Sequence, residues 1–346
     1  MSNFDSTYSA IASITDGKYD STYSALKAAA VSMGAEDKDY DSEYSVAVAL
    51  AEVAGNGGGS GGGSSKPIIY NGFKFTGGDM SLVDFSQYDW SGVYDGSYFF
   101  SSSRSLQQTI NKNYNSTDDW SNFEKNFNGK FISTSKMFYS MSDGKFTSIP
   151  QMDTSEVVDM NGMFSGCNKI TSIPQMDTSN VTDMGSMFSG CNKITSIPQM
   201  DTSNVTNMGS MFSDCKSLIS IPQMDTSNVT NMGYMFYRCS SLTSIPQMDT
   251  SNVTFMNDMF SGCNKITSIP QMDISNVTNM SNVFMGCKSL IEVRFKGDPN
   301  KVTKTTGMFS EVVTNGTLYY DSRYDYSVII SVLPSTWTAI PYDVVD

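Results

Sequence analysis

In the second half of the chain, apolar positions recur every 24 residues and in the same order each time. In the unit Ser227–Thr250 they are Val229, Met232, Met235, Phe236, Cys239, Leu242, Ile245 and Met248. Steps of three and four through Val229–Cys239 predict a short helix or 3₁₀ stretch with one buried face. Ser227 or Asn228 can cap its start. Gly166, Gly190, Gly262 and Gly286, each just before a cysteine, suit a left-handed residue at its end. The stretch after the cysteine, "SLTSIPQM" in this unit, predicts one short strand per coil. "SIPQMD" begins at Ser148 and returns at Ser172, Ser196, Ser220, Ser244 and Ser268.

A single unit of this length cannot bury its own apolar stripe, but stacked copies can, and the period falls in the leucine-rich-repeat range. The predicted fold class is an α/β solenoid, a right-handed leucine-rich-repeat coil with a parallel sheet on one side and helical turns on the other. Eight or nine coils at about 4.8 Å each give a stack of roughly 40 Å. Phe188, Phe212, Phe236 and Phe260 should form one buried column. The six cysteines, Cys167, Cys191, Cys215, Cys239, Cys263 and Cys287, hold one phase of the repeat. They read as small apolar core fillers; a bridge between adjacent coils is the alternative, and they lack CxxC metal spacing.

The unit also carries a resemblance. "MDTSNVTNMGYMFYRCSSLTSIP" closely resembles the BspA-like leucine-rich repeats of bacterial surface proteins, over about 140 to 309. Upstream, "GSYFFSSSRSL" (Gly96–Leu106) and "STSKMFYSM" (Ser133–Met141) read as degenerate copies of the same phrase, as a capping region with a solvated outer face would show. Downstream, "GTLYYDSRYDYSVIISVLPSTWTAIPYD" reads as strand, short helix, strand. It resembles the closing segment of such proteins from gut Bacteroidetes.

The front of the chain is built differently. "GNGGGSGGGSS" at 55–65 is a flexible tether. It resembles both engineered fusion linkers and tracts found in phage and bacterial genes. Ahead of it, "FDSTYSAI", "YDSTYSAL" and "YDSEYSVA" share a template of an Asp-Ser cap followed by helix formers, predicting a small all-α segment of three short helices. The domain plan is therefore 1–54 anchor segment, 55–66 linker, 67–149 degenerate N-terminal repeats, 150–309 regular repeats and 310–346 C-terminal cap.

Charge and composition narrow the function. A net charge of −13 and a pI near 4.4 argue against nucleic-acid binding and against docking on anionic lipid. The absence of histidine removes the commonest general base and zinc ligand. Neither a signal peptide nor an 18-residue apolar run is visible. No cofactor and no metal are expected. Paired carboxylates as in a glycan hydrolase survive only in the recurring Asp153, Asp177, Asp201, Asp225, Asp249 and Asp273. Equivalent acids more often cap turns than catalyse. The phrases beginning at Asn180, Asn204, Asn228, Asn252, Asn276 and Asn315 match a glycosylation sequon, and they too read as turn formers.

The expected function is non-enzymatic display. One reading is a bacteriophage virion appendage, held to a capsid or tail protein by residues 1–54 and presenting the repeats to a host surface glycan or protein. The other is a bacterial cell-surface or secreted adhesin. Candidate anchor residues are Phe4, Tyr8, Tyr19, Tyr23, Tyr40 and Tyr44, which pack on the partner or, alternatively, on one another in a small three-helix bundle of one chain or several. The candidate ligand face is the column Gln175, Gln199, Gln223 and Gln247 with Asp177, Asp201, Asp225 and Asp249 and the adjoining threonines.

Overall fold

The computed structural model describes residues 68–70, 89–99, 129–141 and 147–344. The expected helical segment over 1–54 and the linker lie outside the described residues. What is described is a parallel β-solenoid with almost no helix.

Its spine is a succession of single parallel bridges that climbs one coil at a time. Asp95 bridges Ser133, Ser133 bridges Asp159, and the series continues through Asp183, Asn207, Asn231, Phe255 and Asn279 to Lys304. Formal strands gather at the two ends. Near the start, β1 (Ile68–Tyr70) pairs with β2 (Asp89–Gly92). Towards the C-terminus, β3 (Ser268–Asp273), β4 (Glu292–Lys296), β5 (Thr317–Asp321) and β6 (Thr338–Tyr342) form a parallel sheet in sequential order. A 3₁₀ turn covers Pro299–Lys301, and α1 (Ser327–Ile330) joins β5 to β6 in the order expected from the sequence.

Among the described residues, the short helix or 3₁₀ stretch expected in each repeat is replaced by turns, and the hydrogen bonds show why. The N–H groups of Met184, Ser186, Phe188 and Gly190 donate to Asn207, Gly209, Met211 and Ser213 in the next coil. The intervening N–H groups of Met187, Ser189 and Cys191 reach back three residues, to Met184, Ser186 and Phe188. A helix would keep all these donors within its own turns. Here alternate amides are spent between coils, leaving two consecutive tight turns. Two residues per coil take left-handed backbone to allow it. The first set includes Gly162, Ser186, Ser210, Tyr234 and Asp258, and the second Gly166, Gly190, Asp214, Arg238 and Gly262.

The strand expected at each "SIPQM" is assigned, among the described residues, only at β3. Proline explains the difference. Pro174, Pro198, Pro222 and Pro246 carry no N–H, so stacked copies lose a ladder donor at the same level in every coil. β3 succeeds because its neighbour β4, "EVRFK", has no proline, and even there the register slips between Ile269 and Met272.

The core is a set of columns. Phe138, Phe164, Phe188, Phe212, Phe236, Phe260 and Phe284 are fully buried and stacked, with successive centroids 5.6 to 6.0 Å apart. This is the column expected for Phe188–Phe260. Valine, methionine and cysteine columns run beside it. All six thiols are free and buried, each donating to the carbonyl of a phenylalanine in the preceding coil, as Cys215 does to Phe188 at 3.1 Å.

The aromatic column ends in the C-terminal cap, where Phe309 packs on Phe284 at 5.4 Å and Trp337 on Phe309 at 5.3 Å. Trp337 donates its Nε1–H to the Val313 carbonyl. Buried Asp321 is paired with Arg323 at 2.9 Å and accepts from the Gly297 N–H. The guanidinium of Arg323 holds its carboxyl below the usual range. The Tyr326 hydroxyl closes the cap on the Gly297 carbonyl at 2.7 Å.

Candidate functional site

The candidate ligand face is a set of side-chain ladders on an exposed edge of the stack. Gln175, Gln199, Gln223 and Gln247 are exposed, as are Asp177, Asp201, Asp225 and Asp249, with a buried methionine between each pair. Alternation about that methionine places glutamine and aspartate side by side in every coil.

The glutamines are bonded along the array. Gln175 Nε2 donates to the Gln199 carbonyl at 2.8 Å, Gln199 to Gln223, Gln223 to Gln247, and Gln247 to Gln271. The last step passes from Gln271 to the Tyr342 hydroxyl, tying the ladder to the cap. Each amide stands next to a proline and supplies from the side chain the inter-coil donor that proline lacks. Its second contact is to its own neighbour's carbonyl, Met200 for Gln199 at 3.2 Å. The donors are thus turned along the stack, and the Oε1 acceptors remain for solvent or ligand.

Each aspartate closes an Asx turn. Asp177 Oδ1 accepts from the N–H and hydroxyl of Ser179, Asp201 from Ser203, and Asp225 from Ser227. Asp249 accepts from the Ser251 N–H. The serine hydroxyl first, then its N–H, holds the Asp177 and Asp201 carboxyls below the ordinary range; for Asp225 the N–H contributes most. The surroundings are nearly identical from coil to coil, so no two acids are pushed apart as acid–base partners must be.

The adjoining threonines are not part of the face. Thr178, Thr202, Thr226 and Thr250 are buried, and their hydroxyls donate to the carbonyls of Asp201, Asp225, Asp249 and Asp273. A threonine two residues past a buried methionine faces inward again, which strand-like alternation alone could have shown. Asn180, Asn204, Asn228, Asn252 and Asn276 donate to serine carbonyls in the preceding coil at 2.7 Å. These asparagines lie in turns, as expected, each closed by a bond such as Val181 N–H to the Thr178 carbonyl, and their side chains tie the turn to the neighbouring coil. Phe4, Tyr8, Tyr19, Tyr23, Tyr40 and Tyr44 lie outside the described residues.

One group of residues escaped the sequence reading. Tyr234, Tyr237 and Arg238 stand where neighbouring coils have serine, glycine or aspartate, and Phe255 stands where they have aspartate or asparagine. Their departure from the repeat was the available signal. Among the described residues, no group of three or more His, Cys, Asp or Glu could hold a metal ion.

A stack whose coils bond one another through backbone bridges and side-chain ladders defines a parallel solenoid repeat protein. The chain belongs to the DUF285 family, described as Mycoplasma protein of unknown function, which matches residues 132–245 and 218–318. No curated protein matches it.

Proposed function

We propose that the chain is a display protein of a bacteriophage particle, anchored to a capsid or tail protein through residues 1–54. In this reading the 55–66 tether frees the solenoid to search, and the solenoid attaches to a glycan or protein on the host surface. We assign the coils to the BspA-like leucine-rich-repeat class, with paired turns in place of the usual helix. The observation that carries the proposal is the self-bonded ladder of Gln175 to Gln271. It stiffens the stack while leaving one polar chemistry exposed at regular intervals, which suits repeated weak contacts acting together. The near-identical settings of Asp177, Asp201 and Asp225 support a non-enzymatic role.

Family membership favours a second reading, since DUF285 is described from Mycoplasma, a cellular bacterium. In that reading the same solenoid is a bacterial surface adhesin. Deleting residues 1–54 separates the two. The virion reading expects the full chain in purified particles and the truncated chain missing from them. Particles that lack the full chain, or that still incorporate the truncated one, overturn it.

A further inference from the structure

The array gains a group of large aromatic and charged side chains around one coil. At the two left-handed positions of each coil stand Ser210 and Asp214, then Tyr234 and Arg238, then Asp258 and Gly262. Tyr234 and Arg238 hold φ of 59° and 56°. Large side chains there carry backbone strain, and such strain persists where the surroundings enforce it, often at functional sites. Tyr237 stands in the same coil, where its neighbours have Ser213 and Ser261. One coil on, Phe255 interrupts the outward column of Asp183, Asn207 and Asn231.

The three departures within one coil converge, and Phe255 bridges that coil at Asn231. Tyr234 and Tyr237 meet edge to face at 5.6 Å, and the Arg238 guanidinium lies 4.8 Å from the Tyr237 ring centre. The Arg238 stem passes over Gly262, where a Cβ would come within 3.3 Å of it. The Tyr234 hydroxyl rests against the side chains of Asn257 and Asp258. Asn257 in turn faces the outward asparagine column beside Gly233, two residues from Phe255. Tyr234 is nonetheless 41% exposed and Phe255 50%.

Charge sets this patch apart as well. Arg238 is the only lysine or arginine between residues 217 and 264 of an acidic chain. Among the described residues, no carboxylate lies within ion-pair distance of it. A guanidinium without an ion pair, stacked on half-buried Tyr237, with exposed Tyr234 against that ring and the Asn257 amide at the Tyr234 hydroxyl, suits a ligand with an apolar face, hydroxyls and one negative charge. Four large side chains are far fewer than the 20–30 residues a side of an ordinary protein interface, which favours a ligand of sugar size.

We infer that Tyr234, Tyr237, Arg238, Phe255 and Asn257 form a binding site for a carboxylate-bearing saccharide. The exposed rings stack on the C–H faces of the sugar, Asn257 bonds its hydroxyls, and Arg238 takes its carboxylate. The inference rests on the reading that the solenoid attaches to a surface ligand, and it names that ligand's class.

The test is a glycan array of paired uronate-terminated and neutral hexose-terminated oligosaccharides, probed with the full chain and with Tyr234→Ser and Arg238→Gly. Both substitutions restore residues that neighbouring coils already hold in left-handed backbone, as in Ser210 and Gly262, so both variants should fold. The expected result is selective binding of acidic members, at least tenfold weaker for each variant. Equal binding of neutral partners, no binding of any acidic member, or binding unchanged by both variants overturns the site. Host-cell attachment separates this from the broader reading. If the variants attach as well as the unmodified chain, the site falls and the attachment reading stands. If the unmodified chain attaches to no host cell, the attachment reading falls.

Discussion

Gln199 Nε2 lies 2.8 Å from the Gln223 carbonyl oxygen, one coil along, beside two prolines that cannot make that bond. An exposed bond of this kind contributes about 0.5–1.5 kcal/mol. Gln223→Ala should therefore lower stability by about 1 kcal/mol, read from the denaturant midpoint. Gln223→Glu should cost more, because a carboxylate cannot donate and would set its charge against the Gln247 carbonyl. Equal midpoints for Gln223→Glu and the unmodified chain would show that the ladder contributes nothing.

The phenylalanine column makes a larger prediction. Phe212 is fully buried, with Phe188 and Phe236 each 5.7 Å from its ring centre. Truncating such a side chain costs about 3–5 kcal/mol, because the stacked coils on either side cannot close the gap. Phe212→Ala should lose that much, and Phe212→Leu clearly less. Coils contact only their neighbours, so the Ala variant should also split unfolding into two transitions by calorimetry.

The columns were legible because a period of 24 residues places the same letter at the same depth in every coil. Phe188 and Phe212 needed no more than that to be placed. The turns were not legible, because steps of three and four, as from Met232 to Met235 and on to Cys239, fit a helix and a pair of turns alike. What decides between them is whether alternate amides find partners in the next coil, and a single unit does not contain that information. The left-handed position ahead of Cys167 was readable because Gly166 fills it. The one at Ser186 was not, since serine, tyrosine and aspartate take that place in other coils. Pro198 was the missed warning: a proline at a fixed phase is incompatible with a continuous ladder of backbone bonds. The Gln199 side chain is the compensation. The aromatic patch was visible only as a lapse in spelling, and its meaning required knowing that Tyr234 and Tyr237 stay on the surface.

Burial of the thiols gives a pH dependence. Loss of solvent pushes Cys167, Cys239 and Cys287 up to about 12, and Cys191, Cys215 and Cys263 well above their ordinary value. A thiol whose pKa is raised on folding adds stability in full below its unfolded pKa, near 9, and loses it as pH climbs through the folded value. Stability should thus be flat to about pH 8 and fall steeply between about 9 and 12. Cys→Ala changes at Cys191 and Cys215 should flatten that fall. In the native protein at pH 7 a thiol reagent should label slowly, and all six thiols should react after denaturation without reductant. A count below six would reveal a bridge.

The left-handed positions allow backbone strain to be measured almost alone. Gly190 holds φ of 76°, and a Cβ there would meet the Gly166 backbone no closer than 3.5 Å, an ordinary contact. Gly190→Ala therefore introduces no clash, only the cost of a side chain in left-handed backbone, about 1–2 kcal/mol. Asp214 occupies the equivalent place one coil on, at φ of 57°. Asp214→Gly should relieve that strain and raise the denaturant midpoint, less the entropy glycine adds to the unfolded chain. Its loss also removes the weak Lys216 ion pair at 3.7 Å, whose exposed partner makes it worth little. The two substitutions should move stability in opposite directions. If both destabilise by the same amount, the coils tolerate left-handed aspartate without strain, and the cost assigned to Tyr234 and Arg238 falls with it.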